Sequence, residues 1–312
     1  GVFMIEGKDR FRGFDLLLLA FVCALIAIGL MSIQSATQAK HLPWAESYVL
    51  RQLNSLAIGV VLLFIAVRIS YQKFLDFSYV LYALNVILLV FVLVAGHVRL
   101  GAQRWFSIAG FAFQPSEFMK LSFLLALANY VGSRKGAMLD IKSLVVPCVL
   151  LGVPFVLVLL QPDLGTALLL VPIFFALLIA GGAQLKHIAG MIAIGLAGVP
   201  FFWHFLRDYQ KQRLLVFLNP NVDPLGAGYT IIQSKIAVGS GGLWGKGWMA
   251  GTQNQLNFIP ERHTDFIFSA IGEEWGFLGA MVLILLFYAI VQKAFTIADL
   301  TSDRFGKLLA TG

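Results

Sequence analysis

Charge is scarce in this chain: Asp, Glu, Lys and Arg make up 12% of 312 residues, while 59% are hydrophobic. That balance lies far from the composition of water-soluble domains. Cysteine is almost missing too. The two present, Cys23 and Cys148, sit inside apolar runs, which argues against a disulfide framework and reads as packing. No second His or Cys stands at metal-ligand spacing from His263, so a protein-only zinc site is not expected. The glycine-rich stretch 239–247 could cradle a phosphate, but it lacks the Gly-Lys-Ser/Thr ending of a nucleotide-binding loop. Neither low-complexity sequence nor a strong internal repeat stands out. The first apolar run is too long for a signal peptide and has no small-residue cleavage site.

What remains is a succession of long apolar runs. A membrane span needs roughly 20 mainly apolar residues, and eight candidates appear at about 14–34, 51–69, 77–96, 116–132, 143–160, 164–182, 186–206 and 265–292. The expectation is an all-α, polytopic transmembrane helical bundle, with 1–312 as a single integral-membrane domain. Residues 207–264 form a large, mostly polar loop between spans seven and eight. Lys and Arg orient the bundle. With the N-terminus cytoplasmic, the inside segments hold twelve cations and the short outside segments four: Lys40, Arg51, Arg99 and Arg104. The long loop is then extracytoplasmic. The net charge of +7 owes much to this topology and does not suggest nucleic acid. Beyond the eighth span the chain reads as unfinished, with further spans expected.

With this orientation, spans four, six and eight start at the outer face, and each start carries an acid: Pro115-Ser116-Glu117, Gln161-Pro162-Asp163 and Thr264-Asp265. Each alone could be a helix cap that satisfies orphan amides and the positive helix end. Together, three helix N-termini on one face suit an anionic group. Lys120 lies one turn after Glu117; the two could simply satisfy each other, although charges within a span usually face a partner or a wet cavity. Arg104 and Trp105 precede span four, either as rim anchors or, for Arg104, as a planar fork for phosphate. In the long loop, Ser234, Lys246, Glu261 and His263 are further candidates. The segment 231–238 could form a short amphipathic helix on the membrane surface. Long ordered loops tend to be functional, and Asp265, at the loop-to-helix junction, is the candidate for chemistry.

Several of these segments resemble the signature of the SEDS family. They are Pro224-Leu-Gly-Ala-Gly-Tyr229, Gln233-Ser234, Gly239-Ser-Gly-Gly242, Gly245-Lys-Gly247, Phe258-Ile-Pro-Glu-Arg-His-Thr-Asp-Phe-Ile-Phe268 and Gly272-Glu-Glu274. Arg104-Trp105, Gln114-Pro-Ser-Glu-Phe-Met-Lys120 and Gln161-Pro-Asp-Leu-Gly-Thr166 fit the same pattern. The resemblance covers essentially the whole chain and is closer to the elongation branch than to the division branch. It implies a bundle of ten spans, of which eight are visible. It also implies a peptidoglycan glycosyltransferase that polymerises lipid II and releases undecaprenyl pyrophosphate, working with a class B penicillin-binding protein in the bacterial inner membrane. By the same resemblance, Asp265 is the essential catalytic residue, and Glu117 and Lys120 belong to the functional cavity.

The chemistry fits one carboxylate. Glycosidases usually need two because one must protonate a poor leaving group. Pyrophosphate is a good leaving group that needs charge neutralisation instead. Asp265 would serve as general base in an inverting displacement. Arg104, Lys120 and Lys246 would neutralise the diphosphate, with Mg2+ or Mn2+ as the divalent cation the chemistry admits. Asp163, Trp105, Ser234, Glu261 and His263 complete the expected substrate contacts. Two other readings stand beside this one, a lipid II flippase and a non-enzymatic cell-wall scaffold. A transporter would place its ionisable groups near the bilayer midplane, whereas these cluster near outer span ends.

Overall fold

The structure is a computed structural model and describes residues 15–38, 47–99, 102–108, 111–134, 140–206 and 208–312. Helices occupy all eight expected span positions: α1 (Leu16–Thr37), α2 (Tyr48–Arg68), α3 (Tyr71–Ala95), α4 (Pro115–Ser133), α5 (Val145–Leu160), α6 (Leu164–Ala180), α7 (Leu185–Phe205) and α11 (Ile267–Leu300). Six are long and apolar enough to cross a membrane on length and composition. The other two are α6, an apolar helix of 17 residues, and α4, which carries Glu117, Lys120 and several hydroxyl and amide side chains. The long loop holds three short helices: α8 (Asp208–Leu218), α9 (Tyr229–Ser240) and α10 (Thr252–Gln255). Helix α12 (Arg304–Thr311) follows α11.

The loop between α3 and α4 contains a small sheet that the apolar pattern does not predict. Strand β2 (Ala102–Ile108) pairs antiparallel with β1 (His97–Arg99) through its first half and with β3 (Phe111–Phe113) through its second. At three to seven residues, these strands are too brief to show a period-two signal between two long apolar runs.

By internal contacts the chain divides into two compact units, residues 1–64 with 207–293, and residues 65–206 with 294–312. In the second unit α4 is the central helix. Met119, Phe123, Leu127 and Val131 are fully buried along it, against Leu89 of α3 and Leu170, Leu177 and Leu178 of α6. Lipid tails are as apolar as leucine, so burying these side chains gains little by itself, and close packing with polar ties selects the arrangement. Asn85 donates to Ser122 Oγ at 3.1 Å, Asn129 to Ser78 Oγ at 2.8 Å and to the Leu75 carbonyl at 3.0 Å, and Tyr82 to the Leu150 carbonyl at 2.9 Å. Helix α12 is amphipathic and inserts Phe305 and Leu308 into this core, while Arg304 donates to the Gly181 carbonyl at the end of α6.

The first unit joins α1, most of α2, the long loop and most of α11. Asp15 caps α1 through the amides of Leu17 and Leu18 and pairs with Lys293 at 3.0 Å. The Leu18 amide and the Lys293 ammonium hold its carboxyl below the usual range. The loop is ordered by local chemistry. Asp223 accepts from the Gly226 and Ala227 amides and from Gln212, closing the turn ahead of α9.

Candidate functional site

Asp265 ends a turn over 261–266 and stands two residues before α11. Three donors converge on the Glu261 carbonyl and close this turn: the Thr264 amide at 3.1 Å, the Thr264 hydroxyl at 3.2 Å and the Phe266 amide at 3.4 Å. The Asp265 side chain is exposed. Among the described residues its carboxylate has no hydrogen-bond or ion-pair partner, so it is presented to solvent without internal competition.

The flanking residues do the opposite and bind the turn to the protein. The His263 side chain is only 8% exposed and lies 4.0 Å from the Glu261 carboxylate. Its ring meets the Tyr48 ring at the start of α2 with centroids 4.2 Å apart. Arg262, absent from the candidates read from sequence, is 3% exposed and donates from Nε to the Ala36 carbonyl at 2.6 Å. Burial pushes its guanidinium toward losing the proton. A buried Arg between two site candidates has no sequence signature, because arginines at membrane rims are usually exposed anchors.

A second feature of this unit is a latch between the glycine-rich loop and α11. Glu273, fully buried in α11, accepts from Lys246 Nζ at 2.8 Å, the Thr252 hydroxyl at 3.2 Å, the Gln253 amide at 2.9 Å and the Asn254 amide at 3.3 Å. Its neighbour Glu274 accepts from Ser35 Oγ at 2.5 Å. Backbone pairing reinforces the latch: the Lys246 and Gly247 amides donate to the Glu273 and Glu274 carbonyls, and the Phe277 and Leu278 amides donate to the Gly242 and Leu243 carbonyls. Helix α11 opens there, at Gly276 with φ +67°. The glycines of 239–247 therefore let this loop approach a broken helix, a use the phosphate-cradle reading did not foresee. The ammonium of Lys246 is committed to Glu273, which gives it a partner other than the diphosphate it was matched to in sequence. Two adjacent acids inside an apolar run were the available signal, since such residues are seldom without a role.

Ser234 is half-buried on α9. The helix expected over 231–238 exists and extends over Tyr229–Ser240.

The remaining candidates lie in the second unit. Lys120 and Glu117 form the expected pair at 2.7 Å on α4, with side chains 29% and 53% exposed. Asp163 is buried as the N-cap of α6, taking the Thr166 amide at 3.2 Å and the Thr166 hydroxyl at 3.0 Å. It also accepts from Gln114, the N-cap of α4, at 3.2 Å. The structure thus ties two of the three acid-bearing helix starts together, through Asp163 rather than through the exposed Glu117. Trp105 is half-buried in β2, in register with His97. Arg104 belongs to the same strand, and its side chain lies outside the described residues. Among the described residues no three His, Cys, Asp or Glu converge as a metal site.

Comparison with known proteins adds the context of relatives. The chain is 40% identical over 263 residues to the peptidoglycan glycosyltransferase MrdB of Escherichia coli strain K12, covering 84% of this chain and 71% of that one. It superposes with a TM-score of 0.79 and 31% identity on a chain from a structure described as the structural coordination of polymerization and crosslinking by a peptidoglycan synthase complex, covering 96% and 82% of the two chains. The crystal structure of the rod shape determining protein RodA from Thermus thermophilus matches with a TM-score of 0.68 and 28% identity, over 96% and 80% of the chains. The all-α multi-pass membrane fold expected from sequence is thereby shown. The cell cycle protein family model matches residues 15–312. This chain belongs to that family, the FtsW/RodA/SpoVE proteins, on its RodA-like side.

Proposed function

We propose that this protein polymerises lipid II into glycan strands as a peptidoglycan glycosyltransferase of the elongation type, with Asp265 as the general base. The observation that carries the reading is an exposed carboxylate without a partner among the described residues, on a turn held by buried neighbours, in a chain 40% identical to a named peptidoglycan glycosyltransferase. The 4-hydroxyl of the acceptor GlcNAc attacks the anomeric carbon of the lipid-linked MurNAc. As the new glycosidic bond forms, Asp265 takes the hydroxyl proton, the C1–O bond to phosphate breaks, and undecaprenyl pyrophosphate leaves with the electron pair. The displacement inverts the anomeric centre.

Neutralisation of the leaving diphosphate is assigned to Lys120 and Arg104, with Glu117 orienting Lys120 through their 2.7 Å pair. A divalent cation such as Mg2+ or Mn2+ would, if bound, supply further Lewis-acid charge for the leaving group. Glu261, His263, Trp105 and Ser234 remain proposed substrate contacts. Asp163 acts through the two helix starts it joins. The partner proposed is a class B penicillin-binding protein, supported by the synthase complex to which the fold is similar. The proposed location is the bacterial inner membrane, as the family resemblance implies, with the N-terminus cytoplasmic and Asp265 extracytoplasmic on the Lys and Arg distribution.

The test replaces Asp265 with Asn and follows glycan-strand length from purified lipid II with the transpeptidase partner present. Loss of a general base is expected to lower the rate by about 10² to 10⁴. Strands of parental length made at parental rate by a folded D265N would remove Asp265 from the reaction. If D265N instead moved fluorescent lipid II across vesicles and the parent made no strands, the transporter reading would replace this one.

A further inference from the structure

Among the described residues the Asp265 carboxylate has no partner to hold it, so its location is inherited from the turn on which it sits. That turn is bound to its surroundings by the two residues before Thr264. His263 packs on Tyr48. Arg262 runs inward and gives Nε to the carbonyl of Ala36, in the last turn of α1. That carbonyl is one of the four a helix leaves unpaired at its C-terminus, where the dipole is negative and a cation is welcome. The contact is buried on both sides, since Ala36 is 1% and Arg262 3% exposed.

Stability alone is a poor account of this arginine. Its Nη2 is buried and has no hydrogen-bond partner among the described residues. An unmet buried donor costs about 1–3 kcal/mol, more on a charged group. Buried charges can often be replaced by apolar residues of similar volume at little loss. What an apolar residue could not provide is a directional bond fixing the turn to the end of α1.

We infer that Arg262 is a positioning residue for the transfer reaction, holding the 261–266 turn on the C-terminus of α1 so that the Asp265 carboxylate is presented at a fixed place. It touches no reacting atom and acts through the turn. The inference rests on the reading of Asp265 as the base. Misplacing a reacting group by about 1 Å can cost 10²-fold in rate, whereas the proposed substrate contacts are shared between this turn, through Glu261 and His263, and other elements that carry Trp105, Lys120 and Ser234. A positioning role therefore lowers kcat and leaves KM nearly alone.

The experiment measures lipid II polymerisation by Arg262→Met, Arg262→Lys and Asp265→Asn in the full chain with its transpeptidase partner. Thermal unfolding in detergent reports folding of each. For folded R262M, kcat is expected to fall at least about tenfold with KM within twofold. Lysine keeps one donor for the Ala36 carbonyl, so R262K is expected to fall about three- to tenfold, between parent and R262M. A folded R262M with kcat within twofold of the parent overturns the inference; should R262M fail to fold, the same result in R262K overturns it. A fall in rate carried by KM alone also overturns it, since that assigns Arg262 to substrate affinity. Inactive D265N beside a fully active R262M rejects only the role of Arg262, while active D265N rejects the base itself.

Discussion

At the scale of single residues, Lys246 shows how far a cation's use depends on its neighbours. Four donors meet the Glu273 carboxylate and Lys246 is the only charged one, so the latch over α11 depends on it. Removing one member of a buried pair costs about 3–5 kcal/mol because the other charge is stranded. Lys246→Met is expected to destabilise by about 3 kcal/mol, read as a fall in Tm, with KM for lipid II within about twofold at a temperature where the variant stays folded. An unchanged Tm with a strongly raised KM would return Lys246 to the diphosphate. The Glu117–Lys120 pair differs, being half open to solvent. An exposed pair contributes about 1 kcal/mol or less to stability, so its charges are free to serve a ligand at little structural cost.

At the scale of elements, the break in α11 is the distinctive device. A helix inside a membrane must satisfy every backbone group within the protein, so opening α11 at Gly276 requires another segment to complete the hydrogen bonding. The 242–247 loop does so, with two amides donated to α11 and two accepted from it. The fit is backbone against backbone. A Cβ on Gly276 would lie 2.3 Å from the Gly245 amide nitrogen, and one on Gly245 would lie 2.1 Å from the Glu274 carbonyl oxygen. Gly276→Ala is therefore expected to destabilise by about 2–3 kcal/mol or more, from the left-handed φ and the clash together. Gly29→Ala in α1, where a Cβ meets nothing within 4 Å, serves as the control and is expected to be neutral or stabilising by up to about 1 kcal/mol. Equal Tm values for the two variants would refute this account of the break. The eight helices were legible because long apolar runs exceed any other use of such sequence. The β1–β3 sheet and the opening at Gly276 were not, since short strands and a kink leave the apolar pattern intact.

At the scale of the whole molecule, topology carries the functional reading, because Asp265 must face the compartment where the sugar chain grows. Cysteines introduced at Leu225 in the long loop and at Lys307 in α12 test it in intact cells. Leu225, 90% exposed, is expected to react with a membrane-impermeant maleimide, and position 307 only after permeabilisation. The reverse pattern would invert the bundle and move Asp265 to the wrong side. The Asp265 position beside α11 and the Glu117–Lys120 pair were legible from residue types, since an acid at a loop-to-helix junction and a charge pair one turn apart are local features. The partners of Lys246, Asp163 and Arg262 could not be foreseen, because each lies on a separate element.

Sequence alone determined the membrane class, the positions of the spans, the family and the place of an acid at the last loop-to-helix junction, all of which follow from apolar run length and local motif. Only the tertiary structure decided which charges are spent on the fold. Glu273 takes Lys246 across 27 positions, Gln114 takes Asp163 across 49, and Arg262 reaches Ala36 across 226. Contacts closed over such separations are set by packing among helices, and no periodicity along the chain encodes them.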